Sequence, residues 1–176
     1  SSTSHVYKFS QKKINEKSKL KPSSLYGLTK LKAEKYIQKK LKKAKIPFCI
    51  GRIFSFTHKK QTSDFVIPGI IKKAKSNKKI VYFENTNHYR DFLSTSDICK
   101  AINILFKKKA NGIYNIGSGK KILISHIIKL IFKKYKKIYR INEKNKSTWL
   151  VADINKIKKF KWKPKNNILS IINELT

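Results

Sequence analysis

Long hydrophobic runs are absent from this sequence. No apolar stretch approaches the roughly 20 residues that a helix needs to cross a bilayer, and no signal peptide is visible. Cysteine is equally scarce, with Cys49 and Cys99 as the only two. Two cysteines do not make a disulfide framework, so we expect reduced core thiols in a cytoplasmic protein.

Acidic residues are also scarce, with nine aspartates and glutamates against 43 lysines and arginines, which gives a formal net charge of +34. Such an excess normally indicates a nucleic-acid partner. Arginine occurs only at Arg52, Arg90 and Arg140, however, and lysines are spread over every segment without an aromatic–basic recognition module. The bias towards lysine, isoleucine and asparagine is expected of AT-rich coding DNA. We therefore predict non-specific adhesion to polyanions and no specific nucleic-acid partner.

Glycine is the third scarce residue, with six in the chain. The only G-x-G pattern is Gly117-Ser118-Gly119, and it lacks the third glycine of a dinucleotide-binding loop. The sequence as given therefore contains no glycine-rich loop of the kind that cradles a pyrophosphate.

The apolar residues that are present follow an alternation of strands and helices. Ser1–Val6 is predicted to end a buried strand, a helix starts at Ser23 or Ser24 and continues to about Ala44, and 48–54 is a short apolar strand. This strand–helix–strand order indicates a doubly wound α/β unit. The same criteria predict a surface loop over 8–21, helices over 65–74, 97–106 (capped by Ser94–Ser96) and 126–135 (capped by Ser125), and strands over 80–83 and 112–116.

A tyrosine and a lysine four residues apart form the most informative local motif, Tyr26-Gly27-Leu28-Thr29-Lys30. On a helix the two side chains share one face, so the ammonium of Lys30 can lie beside the phenol of Tyr26. A nearby positive charge favours a phenolate, which otherwise forms only near pH ~10. The pair is a candidate for proton transfer, although an isolated pair at this spacing is usually an ordinary helix surface.

The neighbours of this motif resemble the extended short-chain dehydrogenase/reductase family, the NAD-dependent epimerases and dehydratases of nucleotide sugars. A Ser/Thr-rich run ending in Val6-Tyr7 precedes Glu16 and Pro22, and Tyr26–Lys30 then opens the helix, as in that family. Further blocks follow in the family's order: Gly51–Ser55, Tyr89–Phe92, Tyr114–Gly119, and Asp153–Lys156 followed by Trp162-Lys163-Pro164. Together they cover nearly the whole chain.

The resemblance implies an α/β fold, the C-terminal part of a Rossmann-like doubly wound parallel sheet plus a small α/β substrate-binding domain. Residues 1–57 are expected to belong to the NAD-binding domain. Residues 58–176 are expected to form mainly the substrate domain, with 92–118 returning to the main sheet. Because the chain has neither a glycine-rich loop nor a methionine, it is expected to be the C-terminal portion of a longer enzyme.

The resemblance also implies roles for individual residues. Thr3 would hydrogen-bond the sugar oxygen at which the reaction occurs, and Tyr26 would exchange the proton there. Lys30, with Tyr26, would bind the nicotinamide ribose of NAD or NADP. Arg90 would bind the diphosphate of a nucleotide sugar because a guanidinium matches phosphate oxygens, and Ser55 stands where the family often has a substrate-binding asparagine.

Several features leave alternatives open. Dehydratases of the family carry Asp-Glu directly after the catalytic threonine, whereas this chain has Ser4 and His5, which favours an epimerase or 4-keto reductase. Arg90 could instead form a surface pair with Asp91, and Arg52 could simply pair with a buried carboxylate. The histidines lack the carboxylate and cysteine neighbours of a convincing metal site.

Three functions remain open. The first is the NAD(P)-dependent epimerase or reductase, and the second is a non-catalytic remnant that keeps the sugar-nucleotide half. The third is a basic nucleic-acid-binding protein. The complete enzyme is expected to be a homodimer.

Overall fold

Strands and helices alternate along the whole chain in a computed structural model that describes residues 1–176. The strands are β1 (Ser2–Thr3), β2 (Cys49–Ile53), β3 (Ser55–Thr57), β4 (Ile80–Glu84), β5 (Tyr89–Arg90), β6 (Phe92–Ser94), β7 (Gly112–Ile116), β8 (Ile122–Leu123), β9 (Ile138–Asn142) and β10 (Trp149–Leu150). The α-helices are α1 (Leu25–Lys43), α2 (Val66–Ala74), α3 (Thr95–Lys107), α4 (Ile124–Lys134), α5 (Asn155–Lys158) and α6 (Ile168–Leu175), and a short 3-10 turn covers Ser4–Val6.

The main sheet consists of three parallel strands in the order β1–β2–β7. Helix α1 connects β1 to β2, and the chain returns to the sheet at β7, whose five residues pair with all of β2 from Cys49 to Ile53. Two apolar clusters support the fold. The first packs around this sheet and includes Val6, Phe54, Leu93 and Ile116. The predicted α/β fold with parallel strands is confirmed.

The second apolar cluster fills a layer built from α2, α4, α6 and the parallel pair β4–β9. Isoleucines and phenylalanines dominate it, and Ile127, Ile128 and Ile131 of α4 are fully buried. Strand β5 pairs with β10 in parallel and with β8 in the antiparallel sense, while β3 pairs with β6 in parallel. These short pairs connect the chain segments that form the two clusters.

Helix α1 starts where the sequence predicts, because the hydroxyl of Ser24 accepts a hydrogen bond from the Gly27 N–H at 3.1 Å. Lysines at its last turn complement the negative end of the helix dipole. Gly27 has a second role: a Cβ at this position would overlap the backbone carbonyl of His5. Only glycine therefore lets α1 pack this closely on the turn that follows β1.

Some local predictions are wrong. Cys49 and Cys99 are free but exposed, so they are not core thiols. Helix α4 begins at Ile124, and no side chain, including that of Ser125, caps its first turn. Segment 8–21 is more than a surface loop, since Ile14 is buried in the first cluster and bridges to Ala152. No helix is long and apolar enough to span a bilayer.

Candidate active site

The candidate site begins at the carboxyl end of β1, the edge at which ligands bind in open parallel sheets. Thr3 is buried there and extended, and its hydroxyl accepts a hydrogen bond from the His5 N–H at 3.3 Å. This bond turns the chain into the Ser4–Val6 turn. Thr3 is therefore held at the sheet edge next to the start of α1.

Tyr26 lies in the first turn of α1 and remains 55% exposed. Its ring and the His5 ring form a T-shaped pair, with the centroids 5.9 Å apart. Lys30, one turn further along, is half-buried and donates a hydrogen bond to the Ser1 carbonyl at 3.1 Å. An ammonium has three donors, so two remain for a ligand. The phenol is open to a substrate, and the lysine is fixed beside the same sheet edge.

Arg52 has an entirely different environment. It is 1% exposed and forms an ion pair with Glu34 of α1, with Nη2 and Oε2 2.6 Å apart and Nε donating to Oε1 at 3.0 Å. Its Nη1 donates to the Tyr7 hydroxyl at 2.8 Å, and that hydroxyl donates to the Asn115 side chain at 2.7 Å. We call these four residues the buried ion-pair network. The structure thus supports the simpler alternative for Arg52, a partner for a buried carboxylate.

Tyr7 is the other tyrosine next to the catalytic turn, and its chemistry contrasts with that of Tyr26. Burial raises the pKa of Tyr7 to about 12, although the neighbouring Arg52 charge and hydrogen bond act in the opposite direction. Its phenol therefore stays protonated at neutral pH and serves as a structural donor. The exposed phenol of Tyr26 is the better placed of the two for exchanging a proton with a ligand.

Arg90 lies half-buried on β5 and has no carboxylate partner. Nη1 donates to the carbonyls of Tyr89 at 2.8 Å and Thr148 at 3.2 Å, and the guanidinium sits 5.3 Å from the ring centroid of Phe9. No group of the chain accepts from Nε or Nη2. Burial lowers the pKa of Arg90, but a guanidinium remains charged at neutral pH. Arg90 is therefore a positively charged side chain that the protein holds through Nη1 and the Phe9 ring, while Nε and Nη2 remain free to donate hydrogen bonds.

Asp91 does not pair with Arg90, so the surface-pair alternative is wrong. Its side chain is fully buried and accepts from the N–H and hydroxyl of Ser118, both at 2.6 Å, from the Gly119 N–H at 2.9 Å and from the Ala152 N–H at 3.1 Å. Sequence reasoning missed this role. The G-x-G pattern was the available signal, because a Cβ on Gly117 would lie 2.7 Å from Asp91 Oδ2.

His5 is the second residue whose place the sequence did not reveal. Its ring packs against the Tyr26 ring, with the centroids 5.9 Å apart. Partial burial, followed by the positive charge of Arg90, lowers the pKa of His5, so the imidazole is neutral at pH 7.

Ser55 opens β3 and is separated from the end of β2 by Phe54 alone. It is half-buried, it is paired in register with Phe92, and its hydroxyl makes no hydrogen bond within the chain. Phe92 is two residues beyond Arg90, so Ser55 lies at the sheet edge on the Arg90 side of the site.

Comparison with known proteins identifies the family. Residues 1–175 match the family model described as GDP-mannose 4,6 dehydratase. An uncharacterized UDP-glucose epimerase of Bacillus subtilis is 32% identical over 132 residues, 74% of this chain and 42% of that protein. A dTDP-D-glucose 4,6-dehydratase of Dictyostelium discoideum is 34% identical over 109 residues, 61% of this chain and 25% of that protein. The chain thus spans less than half the length of these two relatives.

Solved structures agree. The UDP-glucuronic acid 4-epimerase of Bacillus cereus, in complex with NAD, superposes on 98% of this chain and 56% of its own with a TM-score of 0.83 and 26% identity. The dTDP-glucose 4,6-dehydratase of Bacillus anthracis, also with NAD, covers 99% of this chain and 58% of its own with a TM-score of 0.86; at 23% identity this match concerns the fold alone. The resemblance predicted from the sequence is confirmed: the chain belongs to the GDP-mannose 4,6-dehydratase family of extended short-chain dehydrogenases/reductases.

Proposed function

We propose that this chain carries the proton-transfer and substrate-binding residues of an NAD(P)-dependent epimerase or 4-keto reductase that acts on a nucleotide-diphosphate sugar. The observation that carries the proposal is the packing of Thr3, His5 and Tyr26 at the carboxyl end of β1, together with a guanidinium at Arg90 that faces no carboxylate. An open phenol and a guanidinium with free donors suit a ligand with a reactive hydroxyl at one end and phosphates at the other.

The sugar end of the ligand would be handled by Thr3 and Tyr26. The hydroxyl of Thr3 hydrogen-bonds the oxygen at which the reaction occurs, and the phenol of Tyr26 accepts or returns its proton. The two free donors of Lys30 fit a ribose diol, so Tyr26 and Lys30 would hold the nicotinamide ribose. The cofactor, when bound, supplies hydride exchange at the carbon that carries this oxygen.

The diphosphate end would be bound by Arg90. Its Nε and Nη2 form a planar fork that no carboxylate occupies, which is the geometry that phosphate oxygens accept in pairs. Phe9 and the Thr148 carbonyl hold the guanidinium in place before the ligand arrives. Ser55, with its free hydroxyl, is proposed as a further substrate contact.

Epimerisation or 4-keto reduction is favoured over dehydration because no carboxylate follows Thr3. Ser4 is 1% exposed and carries a hydroxyl, and His5 carries a neutral imidazole. Neither supplies the acidic pair that removal of water would use. Both epimerases and dehydratases occur among the relatives, so this choice rests on the residues of the chain itself.

A second candidate is a chain that binds nucleotide sugars without turning them over. It is favoured by the absence of a glycine-rich loop from the 176 residues. Both candidates include the Arg90 site. They differ only in whether a cofactor binds next to Tyr26, so that hydride transfer can accompany proton transfer.

Calorimetry with UDP-, dTDP- and GDP-sugars on residues 1–176, with the corresponding free sugars as controls, tests the shared part of the proposal. We expect one nucleotide sugar to bind and the free sugars not to bind. Absence of binding by every nucleotide sugar would contradict both candidates.

NMR of the sugar nucleotide after incubation with NAD or NADPH and the protein encoded by the entire gene separates the two candidates. Conversion of the sugar supports the enzyme, and Tyr26→Phe should then reduce turnover by ~10²–10⁴-fold while leaving affinity unchanged, since it removes only the proton-transfer group. Tyr36→Phe, on the exposed face of the same helix, is the matched control. Binding without conversion supports the second candidate.

A further inference from the structure

His88, which directly precedes β5, is held in one protonation state by a backbone hydrogen bond. Its own carbonyl accepts from the Ile124 N–H at 3.1 Å, which fixes its backbone against the start of α4. Its ring nitrogen Nδ1 accepts from the Thr148 N–H at 3.2 Å. A backbone N–H can only donate, so Nδ1 has to be unprotonated and the ring proton has to sit on Nε2. The contact therefore exists only while His88 is neutral.

Thr148 joins this histidine to Arg90. Its N–H and its hydroxyl both lie 3.2 Å from His88 Nδ1, and its carbonyl accepts from Arg90 Nη1, also at 3.2 Å. The same carbonyl accepts from the Tyr89 N–H at 2.9 Å, which places Thr148 at the entry to the β5–β10 pair. One residue thus carries a continuous path of hydrogen bonds from the imidazole to the guanidinium.

The orientation of Arg90 depends on this path because no ion pair holds the side chain. Nη1 has three acceptors, of which two are the carbonyl and hydroxyl of Thr148 and the third is the Tyr89 carbonyl. No carboxylate lies against the guanidinium. Displacement of Thr148 would therefore turn Nε and Nη2, the two donors that are proposed to bind phosphate oxygens.

We propose that His88 is a positioning residue for the diphosphate site: its neutral imidazole holds Thr148 so that Arg90 presents Nε and Nη2 to the phosphates, and protonation of Nδ1 releases that hold. The inference rests on the proposed function, because it concerns how Arg90 is oriented for its ligand. Neither His88 nor Thr148 is assigned a contact with the ligand. A proton on Nδ1 would place two donors against each other, since the Thr148 N–H cannot accept.

This arrangement predicts the sign of a pH dependence. Burial, followed by the positive charge of Arg90, lowers the pKa of His88, while the negative charge of Glu143 acts in the opposite direction. The imidazole is therefore neutral and accepting at pH 7, and it gains a proton only below its ordinary pKa of 6.5. Affinity for a diphosphate should be highest at neutral pH and fall as the pH drops through this pKa. A purely electrostatic effect has the opposite sign, since a second positive charge near Arg90 would attract phosphate more strongly.

Two variants of His88 separate the hydrogen bond from the charge. Asparagine carries an acceptor at the same distance from the backbone as Nδ1 and does not titrate, so His88→Asn should keep the affinity and lose its pH dependence. His88→Ala removes the acceptor and should weaken binding by about two- to tenfold at every pH, the equivalent of one neutral hydrogen bond. His58→Ala is the matched control, because His58 Nδ1 also accepts from a backbone N–H, that of Lys60 at 3.2 Å, and neither residue bonds to Arg90.

Calorimetric titrations of UDP-glucose into wild type and these variants at about pH 7.5 and about pH 5.5 test the inference, because the esterified phosphates of this ligand do not titrate in that range. We expect wild type to bind about two- to tenfold more weakly at the lower pH and His88→Asn to bind equally at both.

An unchanged affinity of His88→Ala, or a wild-type affinity that rises on acidification, would overturn the inference and leave the Arg90 site standing. An equal fall in His88→Asn would assign the pH dependence to another group, with the same consequence. Failure of UDP-, dTDP- and GDP-glucose alike to bind wild type would overturn the proposed function and this inference with it.

A second measurement needs no ligand. The ring nitrogen signals of His88 in NMR distinguish the two neutral tautomers, and we expect the proton on Nε2. The chain has three arginines, so the Nε–H signal of Arg90 can be followed individually. This signal should shift as His88 gains its proton in wild type and stay in place over the same pH range in His88→Asn. A neutral ring with its proton on Nδ1, or an Arg90 signal that does not respond, would contradict the coupling.

Discussion

Arg52 and Arg90 are two of three arginines in a chain of lysines, and the structure gives them opposite environments. Arg52 is buried, and Glu34 and Tyr7 occupy its donors inside the buried ion-pair network. Arg90 is half-buried, faces no carboxylate and keeps Nε and Nη2 free. An arginine whose donors are all occupied within the protein stabilises the fold, whereas an arginine with free donors can still bind a ligand.

The comparison also explains why lysine serves at neither place. At Arg52, one planar group bridges a carboxylate and a phenol, which a point ammonium cannot do in the same geometry. At Arg90, one edge of the fork is held by carbonyls while the other remains free. Variants that separate stability from ligand affinity should therefore give opposite results at these two positions.

The largest effect is expected from Arg52→Ala, which leaves the Glu34 carboxylate buried without a cation. Breaking a buried ion pair in this way typically costs about 3–5 kcal/mol of unfolding free energy. Urea denaturation of the variant measures the loss, and Arg140→Ala, on the exposed side of β9, is the matched control. A loss below about 1 kcal/mol would show that the pair is solvated and that the contrast with Arg90 is overstated.

Arg90→Lys should have the opposite effects, a lower affinity for the ligand and an unchanged stability. Removing one charge-assisted hydrogen bond weakens nucleotide-sugar binding by roughly 1.5–3 kcal/mol, about tenfold or more in the dissociation constant, although the net charge is unchanged. Thermal unfolding should change little because no buried carboxylate depends on Arg90. Calorimetry on this variant and on Arg140→Lys measures the difference, and equal affinities for every ligand would move Arg90 out of the site.

Tyr7→Phe tests whether the buried ion-pair network contributes to stability without contributing to ligand binding. The change deprives Arg52 of an acceptor and Asn115 of a donor, at a cost of about 1–3 kcal/mol in unfolding free energy. Tyr36→Phe, exposed on α1, should cost nothing measurable by the same urea titration. Affinity for nucleotide sugars should stay within about twofold in both variants, because neither phenol is proposed to touch the ligand.

The pH dependence of that cost follows from the Tyr7 pKa. Burial raises the pKa of Tyr7 to about 12 in the folded chain, above the ordinary value of 10. A raised pKa means that the stabilisation is fully present below about pH 10 and is lost as the pH rises towards 12. The difference in unfolding free energy between wild type and Tyr7→Phe should be constant up to pH 10 and then shrink, and a difference that grows above pH 10 would contradict this assignment.

The smallest effect is expected from Phe9→Ala, which removes the ring beneath Arg90. A partly exposed cation–π contact contributes about 0.5–1 kcal/mol, so the affinity for a nucleotide sugar should fall about two- to fivefold. Phe106→Ala, at an exposed position of α3, is the control. Calorimetry that finds no difference between the two variants would show that Arg90 is positioned by the Tyr89 and Thr148 carbonyls alone.

Local sequence signals predicted much of this structure. Ser24 caps α1 as expected, and β7 has the predicted bounds of Gly112–Ile116, because caps, glycines and apolar spacing act over a few residues. Strand β9 was missed because it lies among lysines, and its pairing with β4 connects residues 58 positions apart. No local pattern encodes such a partner.

The candidate site also contains residues that local sequence indicates and contacts that only the folded chain reveals. Tyr26 and Lys30 belong to a short motif that can be recognised by spacing, and Thr3 was assigned through the resemblance of the Ser/Thr-rich run to the family. The partner of Arg52 could be anticipated only as a buried carboxylate, and its identity as Glu34 depends on how α1 packs on β2. The contact of His5 with Tyr26 depends on how the turn after β1 packs against the start of α1, which no single segment of sequence can indicate.

Gly27 sets a distance within the site. Because α1 rests directly on the carbonyl of His5, any side chain at position 27 would push the start of the helix away from the turn that carries Thr3. The spacing between Thr3 and Tyr26 therefore depends on a residue that offers no functional group of its own, and a protein with alanine at position 27 would have to shift one of the two.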